Sequence, residues 1–586
     1  MDAGERWKTI ALAVFAFAFL AFASRAYLSV DSFKEAAAYD AYAAGTAPGN
    51  AFHQITGYLA PIVPLRLVAP VFGALAIIFI YLALRQQFGS TPALIASALL
   101  ASAPAFTRFA SAGIYSPEAM AFAFFSLGAY LIFTSIEKKK PAPAAVGALL
   151  LAAAPLINAN AALAAVLLAV PLGAQALGAR KDAYLAIPAG AALAGAVLGI
   201  VAAGIGQVQQ TIGLLAAEPN LRISMFSLLA LLPLAACAIV PYILERKRGA
   251  KGMHEFAFCL AVLSLIAAAF SPYLALFGLA LACAYSVKWV FEERNDKKAE
   301  MFFLGLVVAF TGFPLLYGRG FSELQAGAFS LLLGALSAFL LIFYEGKHAF
   351  KAAAYCVIFF LLSTSFLTGA VLAQVQFSEV RPDIASALEA ARELVPASST
   401  LYGFGIGDQV SYIAQKHTGD KDAAIAKFLL TDANASALKA GGVDYLLVDA
   451  YYFDDLSALR NASGQQAVRM DAFLFGGYAR DQSGIVYAVF VGNNAQLVAH
   501  ANEQTGQLTG TSYNIRRASG ESFDVAASRV MLLKNNESSG LEAYDRMIYP
   551  GDSYYTNLFK LYFGEVDGMQ KVYPEGEGAV RIYKVS

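Results

Sequence analysis

The chain has 586 residues with 42 Lys+Arg against 42 Asp+Glu, so no net charge marks it for nucleic acid. It is 58% hydrophobic and 14% charged, well below the quarter or so usual for soluble domains, which excludes an ordinary soluble protein. Cys237, Cys259, Cys283 and Cys356 all fall in apolar runs, and the five scattered His show no ligand spacing, so neither a disulfide framework nor a Cys/His metal motif is present.

The bias is uneven. Residues 1–375 are dominated by Ala, Leu, Phe and Gly, while 376–586 have globular polarity. The expected architecture is a multi-span α-helical membrane domain over 1–375, then a soluble α/β domain over 376–586, long enough to bury its own core. A spanning helix needs about 20 mostly apolar residues. Such runs lie near 8–28, 66–85, 91–106, 118–136, 142–157, 160–178, 183–205, 223–244, 254–270, 272–291, 299–317, 324–344 and 351–374, thirteen in all. The first follows Arg6 and Lys8 as a signal peptide would, but "FASRAYLSVD" offers no cleavage site, so it is read as a retained helix.

Charge sets the orientation. "EKKK" (137–140), "ARKD" (179–182), "ERKRGAK" (245–251), "EERNDKK" (292–298) and "EGKHAFK" (345–351) fall on one side if the spans alternate, together with Arg6, Lys8 and Arg85. The positive-inside rule makes that side cytoplasmic. The N-terminus is then cytoplasmic and the C-terminal domain extracytoplasmic. Three carboxylates share the external face: Asp31 just after the first helix, Glu118 at the start of the fourth, and Glu218 in the loop 206–222.

In the soluble part, "EVRPDIASALEAAREL" (379–394) and "ASALKAGG" (435–442) read as helices, and "DYLLVD", "IVYAVFVG" and "VRIYKV" as strands. "GFGIG" (403–407) reads as a strand-to-helix turn that needs small residues; it lacks the frame of a nucleotide-binding loop. Asn-x-Ser sequons stand at Asn434, Asn461 and Asn536.

Several stretches resemble the catalytic subunit of oligosaccharyltransferase, especially its archaeal single-chain form in the GT-C superfamily. "VDSFKEA" (30–36) looks like its first acidic motif, "VAPVFGALAIIFIYLALRQQFG" (68–89) like its second helix, and "TRFASAGIYSPEA" (107–119) like its second acidic stretch. "STLYGFGIGDQVSYIAQK" (399–416) stands where the family carries Trp-Trp-Asp-Tyr-Gly, and "GGVDYLLVD" (441–449) is similar to the strand that follows. "SYYTNLFKLYFGEVDGMQKVY" and "GAVRIYKV" look like its C-terminal end. The chain departs from the family at Ser116, where an Asp is usual, and at Gly403–Gly407, which keep an aromatic and the last Gly. "LAAE", ending at Glu218, keeps only the Glu, and "AFSPYLALFG" (269–278) lacks an Arg.

The resemblance implies transfer of a glycan from a lipid-linked oligosaccharide donor to Asn of Asn-x-Ser/Thr in an acceptor polypeptide, at the external membrane surface. It implies Asp31, Glu118 and Glu218 as catalytic groups, with Mg²⁺ or Mn²⁺ on Asp31 and Glu118, because hard cations favour carboxylate oxygens. Arg108 would face the donor, and Phe404, Gly407 and Asp408 the acceptor. On local grounds Glu118 is also an ordinary helix start, with Ser116 as N-cap and Pro117 at N1, and Arg108 a snorkelling membrane-edge residue. Asp40, nine residues past Asp31, reads as a surface residue. Two other readings stand beside transfer to Asn: a different GT-C transferase using a lipid-monophosphate sugar, and a catalytically degenerate homologue. A secondary transporter is disfavoured, because intramembrane charges and an inverted repeat are lacking.

Overall fold

The computed structural model describes residues 3–21, 28–29, 32–45, 48–178, 183–204, 228, 231–247, 253–270, 272–291, 297–318, 323–343, 349–375, 380–453, 456–464, 471–492, 494–534, 544–549, 551, 555–574 and 578–586. The chain forms two compact units, Met1–Glu379 and Val380–Ser586.

The first unit is helical. It opens with α1 (Ala3–Ala21), α2 (Phe33–Ala43), α3 (Ala51–Leu59), α4 (Leu65–Phe88), α5 (Ser90–Ser102), α6 (Pro104–Ala110), α7 (Pro117–Lys138), α8 (Pro141–Ile157), α9 (Asn160–Gly178) and α10 (Ala186–Ala203). Apolar helices follow at Met253–Phe270, Pro272–Phe291, Lys297–Gly318, Glu323–Phe343 and Ala349–Val375. Each of the thirteen predicted runs coincides, in whole or in part, with a helix. Among the described residues six helices are long and apolar enough to cross a membrane, or seven if the bent pair α5–α6 counts as one. The protein is therefore a multi-pass membrane protein. Tyr273–Phe291 is 89% buried and forms the centre of the body. Leu331, Leu332, Phe359 and Leu367 stay exposed, as lipid-facing side chains should.

Two local features shape the body around the loop 111–116. The third run breaks at Ala103–Pro104, where proline brings no N–H to the helix ladder, and α5 and α6 diverge by 63°. Arg108, expected in a loop, thus stands on the short helix α6. Close approach of α4 to its neighbours depends on Gly73. A methyl group there would lie 2.8 Å from Ala110 Cβ and 2.9 Å from Leu20 Cδ1. Backbone bonds then stitch the end of α1 to the loop after α6: Ala112 N–H donates to the Leu20 carbonyl (2.8 Å), and Gly113 N–H to that of Arg66 (2.9 Å).

The second unit holds two sheets. In the first, order β1-β2-β11-β10, strand β1 (Leu401–Gly403) runs parallel to β2 (Tyr445–Asp449), with Tyr402 opposite Leu446. β11 (Val580–Val585) lies antiparallel to β2, with Ile582 opposite Leu447, and β10 (Met569–Tyr573) closes the edge. Leu429, Leu446, Val448, Leu459, Leu558 and Val585 fill the core under it. The second sheet is antiparallel, order β7-β6-β5-β4-β3-β9-β8, built from β3 (Asp471–Arg480), β4 (Val486–Gly492), β5 (Ala495–Ala501), β6 (Leu508–Arg517), β7 (Ser522–Ala526), β8 (Met531–Lys534) and β9 (Tyr544–Tyr549). Phe473, Phe490, Leu497, Ile515 and Met547 form its core.

Candidate functional site

Glu118 sits at the start of α7. Ser116 Oγ accepts from Glu118 N–H at 3.4 Å and Pro117 occupies the first turn, so the helix start is fixed by the residues that the sequence offered for it. The carboxylate is not a solvated cap. Its Oε2 is fully buried and has no hydrogen-bond partner. The polar groups acting on this carboxyl are Glu35 from α2, Asn158 from the α8–α9 junction and Arg108 from α6. The Tyr273 hydroxyl, also buried without a partner, lies within electrostatic reach of Glu118 while its ring packs edge-on against Phe109 and Phe122.

Asp31 and Glu218 lie outside the described residues. Ser29 and Ser32, near Asp31 in the sequence, are described. Ser29 N–H donates to the Gly113 carbonyl (2.8 Å), and Ser32 Oγ accepts from Tyr115 N–H (2.9 Å). Ser29 and Ser32 are therefore bonded to the loop that leads into Glu118. α1 itself packs on α4.

Two functional candidates escaped sequence reasoning. Glu35 stands in the same "VDSFKEA" stretch as Asp31, and its Oε2 lies 3.2 Å from His53 Nε2. His53 is buried on α3, where Asn50 caps the helix by accepting from His53 N–H at 2.9 Å. Tyr39, Tyr42 and Phe52 ring the imidazole, and Tyr115 packs at a tilt against Phe52, ring centroids 4.7 Å apart. Burial raises the Tyr115 phenol above its ordinary value, keeping it neutral. Nothing in the spacing of Glu35 and His53, eighteen residues apart, announced the pair; an acid so close to Asp31 was the available signal. Asp40 is exposed, as expected. Among the described residues no three His, Cys, Asp or Glu side chains come together as a metal site.

In the second unit, Gly403 ends β1 and Gly405 takes φ +69°, a left-handed conformation that favours glycine, and donates its N–H to Asp422 Oδ1 at 3.2 Å. Phe404 is half-buried and meets Tyr452 edge-on, and the Tyr452 hydroxyl donates to the Phe404 carbonyl at 3.2 Å. Gly407–Gln409 begin a helix that widens into a π-turn at Val410–Ala414. Asp408 points to solvent, whereas Gln409 Oε1 is buried without a partner. Past the end of β2, Arg381 bridges Asp383 (2.7 Å) and the buried Asp449 (2.8 Å) and stacks on Tyr451 at 3.6 Å. Burial pushes the Asp449 carboxyl up while Arg381 pulls it down.

The described residues thus form a helical, membrane-spanning first unit and a mixed α/β second unit. Residues 50–194 match the family model described as "Dolichyl-phosphate-mannose-protein mannosyltransferase". The chain shares its fold with the Archaeoglobus fulgidus oligosaccharyltransferase in the apo form, at TM-score 0.54 and 12% identity, over 98% of this chain and 80% of the other. The same enzyme tethered to an acceptor peptide with the NVT sequon matches at TM-score 0.52 and 12% identity, over 100% of this chain and 89% of the other. Its complex with an inhibitory peptide and a dolichol-phosphate matches at TM-score 0.53 and 11% identity, over 98% and 80%. Among curated proteins, none matches the chain in sequence.

Proposed function

We propose that this chain transfers a glycan from a lipid-(pyro)phosphate donor to the side-chain amide of Asn in Asn-x-Ser/Thr, on the external face of the membrane. The observation that carries the reading is Glu118 Oε2, a carboxylate oxygen buried without a partner at the start of α7. A buried carboxylate oxygen left unpaired costs stability, so it marks a place kept for a donor or a cation. The bonds of Ser29 and Ser32, on either side of Asp31 in the sequence, to the loop before Glu118 support a shared site.

An amide nitrogen is a poor nucleophile because its lone pair is delocalised into the carbonyl. Asp31 and Glu118 accept its N–H groups and hold the nitrogen so that this delocalisation weakens. The new bond joins the nitrogen to the anomeric carbon. The bond from that carbon to the phosphate oxygen breaks, its electrons leave on the phosphate, and the amide proton passes to a carboxylate. Arg108 balances the charge of the leaving phosphate, and Glu218 reaches the same face. Phe404, Gly407 and Asp408 serve the acceptor, with Asp408 receiving the hydroxyl of its Ser or Thr.

The orphaned oxygen of Glu118 and the hard-donor chemistry of two carboxylates fit Mg²⁺ or Mn²⁺, which Asp31 and Glu118 would hold. When bound, such an ion supplies Lewis acidity to the departing phosphate. The basic runs 137–140, 245–251 and 292–298 support a cytoplasmic N-terminus and an extracytoplasmic second unit.

A second reading, use of a lipid-monophosphate sugar, is favoured by the family match over residues 50–194. The test is incubation of the purified chain with a polyprenyl-pyrophosphate oligosaccharide and a labelled Asn-x-Thr peptide. Transfer that is lost with Gln-x-Thr supports the proposal. No transfer to either peptide overturns it, and leaves a degenerate homologue or the second reading.

A further inference from the structure

The second unit carries two described sequons, and their surroundings differ. Asn434-Ala435-Ser436 sits at the turn before the short helix Ser436–Ala440. Asn434 and Ser436 are exposed, while Ala435 between them is fully buried, so the turn is pinned by its middle residue with both polar side chains outward. Asn434 Oδ1 accepts from Ser436 N–H at 2.9 Å. That bond folds the amide back over the residue two positions on, and Nδ2 has no partner among the described residues. The preceding backbone is held by Asn557, whose Nδ2 donates to the Ala433 carbonyl at 2.8 Å and whose N–H donates to that of Thr431 at 2.9 Å. The backbone leading into the sequon is thus anchored, and Asn434 and Ser436 lie on the surface.

Asn461-Ala462-Ser463 lies within the helix Leu456–Ser463. Residues two apart on a helix point in widely different directions, so one site cannot meet the Asn461 amide and the Ser463 hydroxyl together. The Ser463 hydroxyl is moreover taken up by the Arg460 carbonyl, at 3.2 Å.

We propose that Asn434 is itself an N-glycan acceptor, modified on the folded chain by another copy, and that Asn461 is not. The inference rests on the Asn-x-Ser/Thr reading above. The Asn434 Nδ2–C1 bond forms, the C1–O bond to the polyprenyl pyrophosphate breaks with its electrons on the phosphate, and one amide proton is lost to a carboxylate of the acting copy. Oδ1 keeps its bond to Ser436 throughout, so modification leaves the turn intact.

The experiment incubates the full-length chain with a polyprenyl-pyrophosphate oligosaccharide and a free Asn-x-Thr peptide in one reaction, then maps the chain by mass spectrometry. The expected result is the glycan mass on the Asn434 peptide, absent from Asn434→Gln and Ser436→Ala, with occupancy at Asn461 at least about ten-fold lower. A glycosylated free peptide beside an unmodified Asn434 overturns this inference and leaves the functional reading standing. Equal occupancy at Asn434 and Asn461 overturns the selection argued from the two conformations. If neither the peptide nor the chain is modified, both readings fall.

Discussion

Replacing Glu118 should separate activity from stability in opposite directions. Its Oε2 is buried without a partner, and an orphaned buried polar atom costs about 1–3 kcal/mol. Met has a similar volume and no group to satisfy. Glu118→Met relieves that cost. The net expectation is a gain of about 1–3 kcal/mol. Activity behaves otherwise, because removing one group aimed at transition-state charge commonly costs about 10²–10³ in rate. Glu118→Gln, which keeps the shape and loses the charge, should show a similar loss. Glycan transfer to a sequon peptide, measured beside the thermal midpoint in detergent, gives both readouts. A Glu118→Met protein that melts several degrees lower, or a Glu118→Gln protein within about three-fold of the parent rate, would refute the reasoning and make Glu118 only a helix start.

Other parts of the structure carry their own expected outcomes. Asp31→Ala should abolish transfer while the exposed Asp40→Ala leaves it nearly intact, and chelation of divalent cations should mimic Asp31→Ala; equal behaviour of the two variants sinks the assignment. Gly73→Val should lower transfer without touching a polar group, because its side chain would press on Leu20 and Ala110 and shift the 111–116 loop; wild-type rates in this variant would show that the loop position does not matter. Asp444 accepts from Thr400 N–H at 3.0 Å and from Lys439 at 2.9 Å, which holds its carboxyl below the ordinary range. Asp444→Asn should cost about 1–2 kcal/mol at neutral pH, discounted for partial exposure. Because the native value is lowered, the contribution is full above the ordinary carboxylate range and disappears as pH falls through the native one. The gap in melting temperature between parent and variant should therefore close in acid, and a gap that persists there would contradict the assignment.

How much of the fold and the site was readable depends on which force shapes each part. The spans were legible because lipid demands a long apolar run whatever its neighbours are. The start of α7 was legible because capping is local, and Ser116-Pro117 writes it in two residues. The kink after α5 was not, since Pro104 lies in an apolar run that still reads as one span. The contact of Glu35 with His53 belongs to tertiary packing of two short loop helices, which leaves no periodic trace. In the second unit, β2, β4 and β11 were visible as apolar strands. The seven-stranded sheet was mostly hidden. Bulges at Phe475/Gly477 and Val498/His500 interrupt its alternation, and β6 buries only Ile515 of its ten residues.

The most direct measurement of the central claim offers the purified chain two donors side by side, a polyprenyl-pyrophosphate oligosaccharide and a polyprenyl-monophosphate sugar, with a labelled Asn-x-Thr peptide as acceptor. The account predicts that peptide mass rises by the oligosaccharide alone, through an amide-linked product that Glu118→Gln suppresses. A product formed only from the monophosphate donor, or label that stays on a peptide of unchanged mass with both donors, would contradict it.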